Sequence, residues 1–224
     1  EQGSLLTMEE VMSQVLETDR RICVISGPSF AAEVARGEPT AVVVAGKDPS
    51  ATKRVAEAFH GSSFRVYHSD DVVGVEIGGA IKNVMAIACG MADGMGLGLN
   101  ARAAIITRGV AEITRLGVAK GANPLTFSGW AGMGDLVLTC TGDLSRNRRV
   151  GLALGQGQTL EQVLEELGQV AEGVVTTRSA RSLGHKLGVE LPITEQVYGI
   201  LYEGQDPKQA MAALMGRAQK HERG

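Results

Sequence analysis

One strong cation, Lys82, stands in the run "GGAIKNVMAIACGMADG" from Gly78 to Gly94. On a helix it shares a face with Gly78, Gly79, Met85, Ala86 and Cys89. None of these is acidic, so this face offers the ammonium no ion pair locally. Ile77, Ile81, Val84, Ile87, Ala88 and Met91 make the other faces apolar, and a helix apolar nearly all round is buried. Two readings are open. A lysine can carry its amine out to solvent past small neighbours. Alternatively the small neighbours leave a hollow in which the amine is partly desolvated. Desolvation lowers a lysine's pKa toward the range useful for proton abstraction at neutral pH. Asn83 beside it could then hydrogen-bond a substrate oxygen.

A second cluster is "GMGDLVLTCTGDLSRNRR", Gly132 to Arg149. Asp135 and Thr139 are four apart, hence on one helical face. Asp135 can cap a helix after Gly134, or its carboxylate can orient a substrate hydroxyl or the lysine. Ser145 reads as an N-cap, with Arg146, Arg148 and Arg149 in the first turn. Cations there oppose the helix dipole, but a bound phosphate reverses the sign, because helix N-termini and arginines both hold dianions. Three arginines in five residues can equally be a solvated surface. By contrast, "GLGLNA" (Gly96–Ala101) matches the relaxed G-x-G-x-x-G/A dinucleotide fingerprint but is rejected. It follows a helix rather than a strand, and no acid ends a strand about 20 residues on. Its glycines are expected instead where two helices meet closely.

The elements that must hold these groups change character along the chain. Arg21–Gly27, Thr40–Gly46 and Phe64–Ser69 read as strands, the first two as buried ones. Helices are expected at 5–17, over "SFAAEVARG" up to Gly37, and at 49–60 with Pro49 in the first turn. From about Asp71 only helices follow: Val72–Met91, Ala101–Lys120, Arg148–Leu154, Leu160–Leu167, Thr176–Leu187, Glu195–Tyr202 and Pro207–Arg217. This implies an α/β part over residues 1–70 and an all-α domain over 71–224. The sheet is too small to cover both its faces, as though the chain began inside a domain.

Composition narrows the function classes. Charged residues are 21% and hydrophobic residues 44%, ordinary for a soluble globular chain. A net charge of −3 and 4% aromatics supply neither the basic field nor the stacking platforms of nucleic-acid binding. Cys23, Cys89 and Cys140, odd in number and widely spaced, fit reduced cytoplasmic thiols better than disulfides or a metal site. No signal peptide is evident, and no apolar run reaches the ~18 residues of a membrane span, so no integral membrane contact is expected.

Taken in order, "ISGPSFAAEVARGEPTAVVVA", "GGAIKNVMAIACGMADGMGLGLNARAAIITRG", "GMGDLVLTCTGDLSRNRRVG", "GQVAEG" and "LPITEQVY" resemble bacterial-type NAD(P)-dependent glycerol-3-phosphate dehydrogenase. They span nearly the whole chain. The resemblance implies the end of a Rossmann-type cofactor domain followed by a larger all-α substrate domain, of the kind at the C-terminus of 6-phosphogluconate dehydrogenase. It implies oxidation of sn-glycerol 3-phosphate to dihydroxyacetone phosphate, or the reverse, with NAD or NADP, NADP slightly favoured, in phospholipid precursor synthesis by a cytoplasmic homodimer. Lys82 would be the catalytic base. Gly27, Ser29, Asn83, Asp135, Thr139, Ser145, Arg146 and Asn147 would contact this small-molecule substrate. Ala31, Arg146, Val170 and Glu172 would contact the cofactor. The family's glycine-rich fingerprint and its second active-site lysine are not in these residues, so this chain alone is expected to be inactive. A related hydroxy-acid dehydrogenase and a non-catalytic helical assembly module remain as alternatives.

Overall fold

The β-branched run Val42–Val44 favours extended backbone and packs well on a pleated surface. It forms the middle of a three-stranded sheet. In the computed structural model, which describes residues 1–17, 21–168, 171–219 and 221, β1 (Cys23–Ser26) lies antiparallel to β2 (Thr40–Gly46), with Ser26 opposite Val43. β3 (Phe64–Ser69) lies parallel to β2, with Thr40 opposite Phe64. Three helices accompany these strands: α1 (Met8–Leu16), α2 (Ala31–Ala35) and α3 (Pro49–Phe59). Pro49 opens α3 where its missing N–H costs nothing, and Asp48 caps it by accepting from the Ser50 amide at 2.8 Å. β2 is buried on both faces. β1 is not the buried strand its composition suggested: Ile25 is 41% exposed, because that side of the sheet borders a cavity rather than a packed layer.

After residue 71 the described chain is helical, so the architecture is the small sheet and larger helical part that the sequence implies. The helices are α4 (Val72–Gly94), α5 (Leu99–Ala119), α6 (Asp135–Thr141), α7 (Arg146–Gly155), α8 (Leu160–Leu167), α9 (Glu172–Leu187), α10 (Pro192–Tyr202) and α11 (Pro207–Met215). Between α5 and α6 lie a 3-10 turn, Pro124–Ser128, and a turn of π-helix, Trp130–Gly134. The sequence reading passed over both, because "GWAGMG" carries no apolar period for a helix to be read from. α4 runs three residues beyond the expected Met91, and α9 starts four residues before the expected Thr176.

α4 is the axis of the helical part. At 23 residues it is long and apolar enough to cross a bilayer, contrary to the sequence reading, yet most of its surface is buried against α5, α6, α7 and α9. It crosses α7 backbone to backbone. A Cβ added at Gly90 or Gly94 would run into the carbonyls of Arg148 or Leu152, and one at Gly151 or Gly155 into those of Ile87 or Met91. The glycines that let α4 and α7 meet are therefore these four. Gly96 and Gly98 of "GLGLNA" have open space where a side chain would stand; Gly96 turns the chain with φ +74° and Gly98 caps α5.

The N-cap of α10, Leu191, offers no capping side chain, so the first amides of the helix need an acceptor from elsewhere. Glu112 of α5 provides it. Its buried carboxylate accepts from the Ile193 amide at 2.5 Å and from the Thr194 amide and hydroxyl at 3.3 and 3.2 Å. Burial outweighs these bonds and raises the Glu112 carboxyl from 4.5 to about 7. The folded state thus holds this proton more tightly than the unfolded chain does. The stability it contributes is full below pH ~4.5 and is lost as pH rises through ~7. A Glu112→Gln variant cannot ionise. Urea unfolding should show wild type losing roughly 3 kcal/mol relative to this variant between pH 4.5 and 7.5; a pH-independent gap would show that Glu112 ionises freely in the fold.

Candidate active site

Successive turns of α4 each fasten a piece of the chain between α5 and α6. Asp71, its N-cap, accepts from the Gly74 amide at 2.9 Å, the Asn123 amide at 3.0 Å and the Thr126 hydroxyl at 2.6 Å. Two turns on, Gly78 receives the Ala131 carbonyl where a Cβ would stand. One turn further, Lys82 meets Asp135, the first residue of α6. Of the small residues flanking the lysine, Gly78 is therefore filled by backbone and is no hollow. Gly79 is the one that borders open space, with Ser26 of β1 against it.

Lys82 Nζ donates to Asp135 Oδ2. The lysine side chain is 20% exposed and the aspartate side chain 3%. Asp135 is thus a buried carboxylate whose charge is met by the lysine, and its Oδ1 lies 3.1 Å from the Thr139 hydroxyl one turn along. That hydroxyl also sits 2.6 Å from the Asp135 carbonyl. Asp135 is not the cap of α6, whose N-cap is Gly134, and of the readings open to it the structure shows the pairing with the lysine.

Ser145 caps α7, its Oγ accepting from the Arg148 amide at 3.2 Å, which leaves its O–H to donate. The first amides of α7 have no carbonyl partner within the helix, as at any helix start. The three arginines separate. Arg148 is held by Asp93 at 2.8 Å and Asp143 at 2.8 Å, and Asp93 also takes Arg102 at 2.7 Å. Arg149 is exposed away from the cleft, and Arg146 lines it. Asn147 points inward, donating to Asn83 Oδ1 at 2.9 Å and accepting from the Gly173 amide at 2.8 Å.

These groups open onto one cleft of about 480 Å³. Gly27, Ser29, Ala31, Lys82, Asn83, Asp135, Thr139, Ser145, Arg146, Asn147 and Glu172 all line it; Val170 lies outside the described residues. Gly27 takes φ +143° at the end of β1, with the Val42 Cα 2.9 Å from where a Cβ would sit, so the chain turns there into the cleft. Ser29 donates back to the Gly27 carbonyl at 3.0 Å. Phe30, Leu138 and Leu144, which the sequence reading did not single out, supply an apolar wall. Leu138, three residues after Asp135, could have been found by helical spacing; Phe30 and Leu144 carry no such signal. A second cavity of about 670 Å³ shares Gly27, Ser29, Gly79, Lys82 and Asp135 with the first and continues between β1 and α9. Among the described residues no cluster of His, Cys, Asp or Glu is placed to hold a metal.

Residues 71–212 match the family profile described as the NAD-dependent glycerol-3-phosphate dehydrogenase C-terminus, and residues 1–52 match its N-terminus. The chain is 59% identical over 224 residues to the glycerol-3-phosphate dehydrogenase, NAD(P)+ type, of Anaeromyxobacter dehalogenans, covering 99% of this chain and 68% of that one. It is 58% identical over 225 residues to that of Geobacter sulfurreducens, covering 100% and 67%. The crystal structure of glycerol-3-phosphate dehydrogenase from Coxiella burnetii superposes with a TM-score of 0.92 at 45% identity, covering 96% of this chain and 66% of that one. The chain thus spans about two thirds of the length of these relatives. It belongs to the NAD-dependent glycerol-3-phosphate dehydrogenases, oxidoreductases that interconvert glycerol 3-phosphate and dihydroxyacetone phosphate with NAD or NADP.

Proposed function

We propose that the cleft between α4, α6 and α7 is the glycerol 3-phosphate site, with Lys82 as its acid–base group and the start of α7 as its phosphate grip. The observation that carries this is the opening of the Lys82–Asp135 pair and of Ser145 and Arg146 onto the same cleft. In the oxidative direction the Lys82 amine takes the proton of the C2 hydroxyl, and the C2–O bond becomes a carbonyl. The ammonium so formed stands against the Asp135 carboxylate, which stabilises it in a partly buried place. In reduction the same ammonium returns its proton to the carbonyl oxygen. Thr139 holds Asp135 in orientation. The phosphate sits on the Ser145 hydroxyl, the first amides of α7 and the Arg146 guanidinium, so the dianion and the helix dipole attract. Grip on this non-reacting group positions C2 against the lysine. Gly27 and Ser29 close the substrate side.

The residues on hand fit part of the cofactor. Ala31 and Glu172 at the cleft lip and the adjoining cavity suit the nicotinamide end, whereas among the described residues no glycine-rich turn leads from a strand into a helix to seat the dinucleotide phosphates. When bound, NAD or NADP supplies the hydride acceptor at C2, or in reverse the hydride. We assign residues 1–70 to the cofactor domain and 71–224 to the substrate domain, in keeping with the family profile that begins at residue 71. A cytoplasmic homodimer is the matching cellular form; the three free cysteines support a reducing compartment.

Two variants separate chemistry from grip in an enzyme of full family length that carries these residues. Lys82→Met should lower kcat by a hundredfold to ten-thousandfold. Arg146→Ala should raise KM for dihydroxyacetone phosphate at least about tenfold. A near-normal kcat would remove Lys82 from the proton step, and an unchanged KM would move the phosphate elsewhere. The 224-residue polypeptide alone should give no turnover of dihydroxyacetone phosphate with NADPH or NADH in a spectrophotometric assay; measurable turnover would refute the assignment of its first 70 residues.

A further inference from the structure

Asp135 meets Lys82 because α6 starts at one particular angle to α4, and the turn before it sets that angle. Trp130–Gly134 is π-helical and runs straight into α6. The Gly134 amide donates to the Gly129 carbonyl at 3.1 Å, five residues back, and the Asp135 amide reaches the Trp130 carbonyl in the same way. A π turn holds about one residue more than an α turn. Were the segment to close as an α turn, Asp135 would swing by about 100° around the axis of α6. Its carboxylate would then turn off Lys82.

π turns occur singly inside α-helices, often at functional sites, and this one has to be held from outside. Gly129, Gly132 and Gly134 leave the segment pliable, since none has a Cβ to restrict its backbone. On the inner side Ala131 packs with Val43 and Ala45 of β2 and Val72 and Val75 of α4. On the outer side is Trp130, which is 40% exposed and so is not there to fill a core. Its ring stacks on that of Tyr67 in β3, with centroids 5.5 Å apart and planes at 29°. The Arg65 guanidinium lies 5.2 Å from the centre of the Tyr67 ring; two residues back along β3, it projects from the same side of the strand. The Trp130 ring also lies 3.5 Å from where a Cβ at Gly134 would stand, and Pro28 lies 3.6 Å from the same point. One side chain thus reaches from the last residue before Asp135 to the edge strand of the sheet.

We propose that Trp130 is a positioning residue for proton transfer: clamped on Tyr67, it keeps the Trp130–Gly134 turn in its π form and thereby holds Asp135 on Lys82. This rests on Lys82 being the acid–base group. Trp130 lines neither of the two cavities, so its influence on the reaction passes through Asp135. α7 has no part in the stack. Loss of the stack therefore slows the step at C2 and leaves the hold on the phosphate as it was.

Reduction of dihydroxyacetone phosphate by an enzyme of full family length that carries these residues tests this. Trp130→Ala should lower kcat at least about tenfold while KM for dihydroxyacetone phosphate stays within about twofold. Trp130→Tyr keeps a ring to stack and should return kcat to within about twofold of wild type. In an Asp135→Asn background, where the carboxylate is already gone, adding Trp130→Ala should change kcat less than about twofold. A near-normal kcat in Trp130→Ala, or an equal loss with and without the Asp135 carboxylate, would overturn the proposal. So would a rise in KM as large as the fall in kcat, which marks a general loosening of the cleft. Should Trp130→Ala fail to fold, Tyr67→Ala removes the platform from an exposed position on the edge strand. It should give the same fall in kcat at unchanged KM, and a wild-type kcat there sinks the proposal. A near-normal kcat in Lys82→Met would instead overturn the reading of the lysine, and this proposal with it.

Discussion

Where α4 crosses α7, backbone meets backbone, and the position of nearly every functional group follows from that crossing. Gly90 and Gly94 on one helix and Gly151 and Gly155 on the other leave no space for a single methyl group. The two helices can therefore neither slide nor separate without losing contact along the whole seam. α4 carries Lys82 and Asn83 two turns before the seam, and α7 begins with Ser145 and Arg146 just before it. Fixing one contact fixes the distance between that amine and the start of α7, the two groups proposed to hold one substrate. Helices kept apart by large side chains have softer contacts, with several packings close in energy.

Charge is arranged around the seam in the same spirit. Asp93, near the end of α4, takes both Arg102 of α5 and Arg148 of α7, so the first turn of α7 is anchored by an ion pair of low exposure. Arg148 is thereby spent on structure, whereas Arg146 lines the cleft. At the other end of the cleft Asp135 is almost wholly buried, and its stability depends on Lys82. Removing one partner of such a pair leaves an uncompensated charge that costs more than the pair contributes. The lysine in an otherwise apolar helix therefore answers two needs: it neutralises α6 where that helix starts, and it presents a proton-carrying group to the cleft.

Much of this was legible in the residues. The strands Thr40–Gly46 and Phe64–Ser69 and the helix Leu160–Leu167 have the bounds their patterns imply, because runs of one period end at glycine, proline or a capping residue. The cap at Ser145 was legible for the same reason. That Asp135 orients Lys82 was one of the readings its position left open, but the choice was not legible: no residue on the lysine's own face of α4 is acidic, and Asp135 lies 53 residues along the chain. The stretch before it, "GWAGMG", forms a π turn for which single-sequence patterns offer no signal. The four-glycine crossing was also misplaced to "GLGLNA", since glycines at a turn and glycines at a helix contact look alike until the neighbouring backbone is known. Family resemblance, rather than periodicity, brought the cleft residues together before the fold did.

The central claim is geometric: one three-carbon phosphoester spans from the start of α7 to the amine of α4. The direct measurement is a crystal structure of the protein soaked with glycerol 3-phosphate. The phosphate should lie within about 3.2 Å of Ser145 Oγ and the first amides of α7, and the C2 oxygen within about 3.2 Å of Lys82 Nζ. Phosphate bound away from α7, or a C2 oxygen beyond reach of the lysine while the phosphate sits in place, would contradict the account.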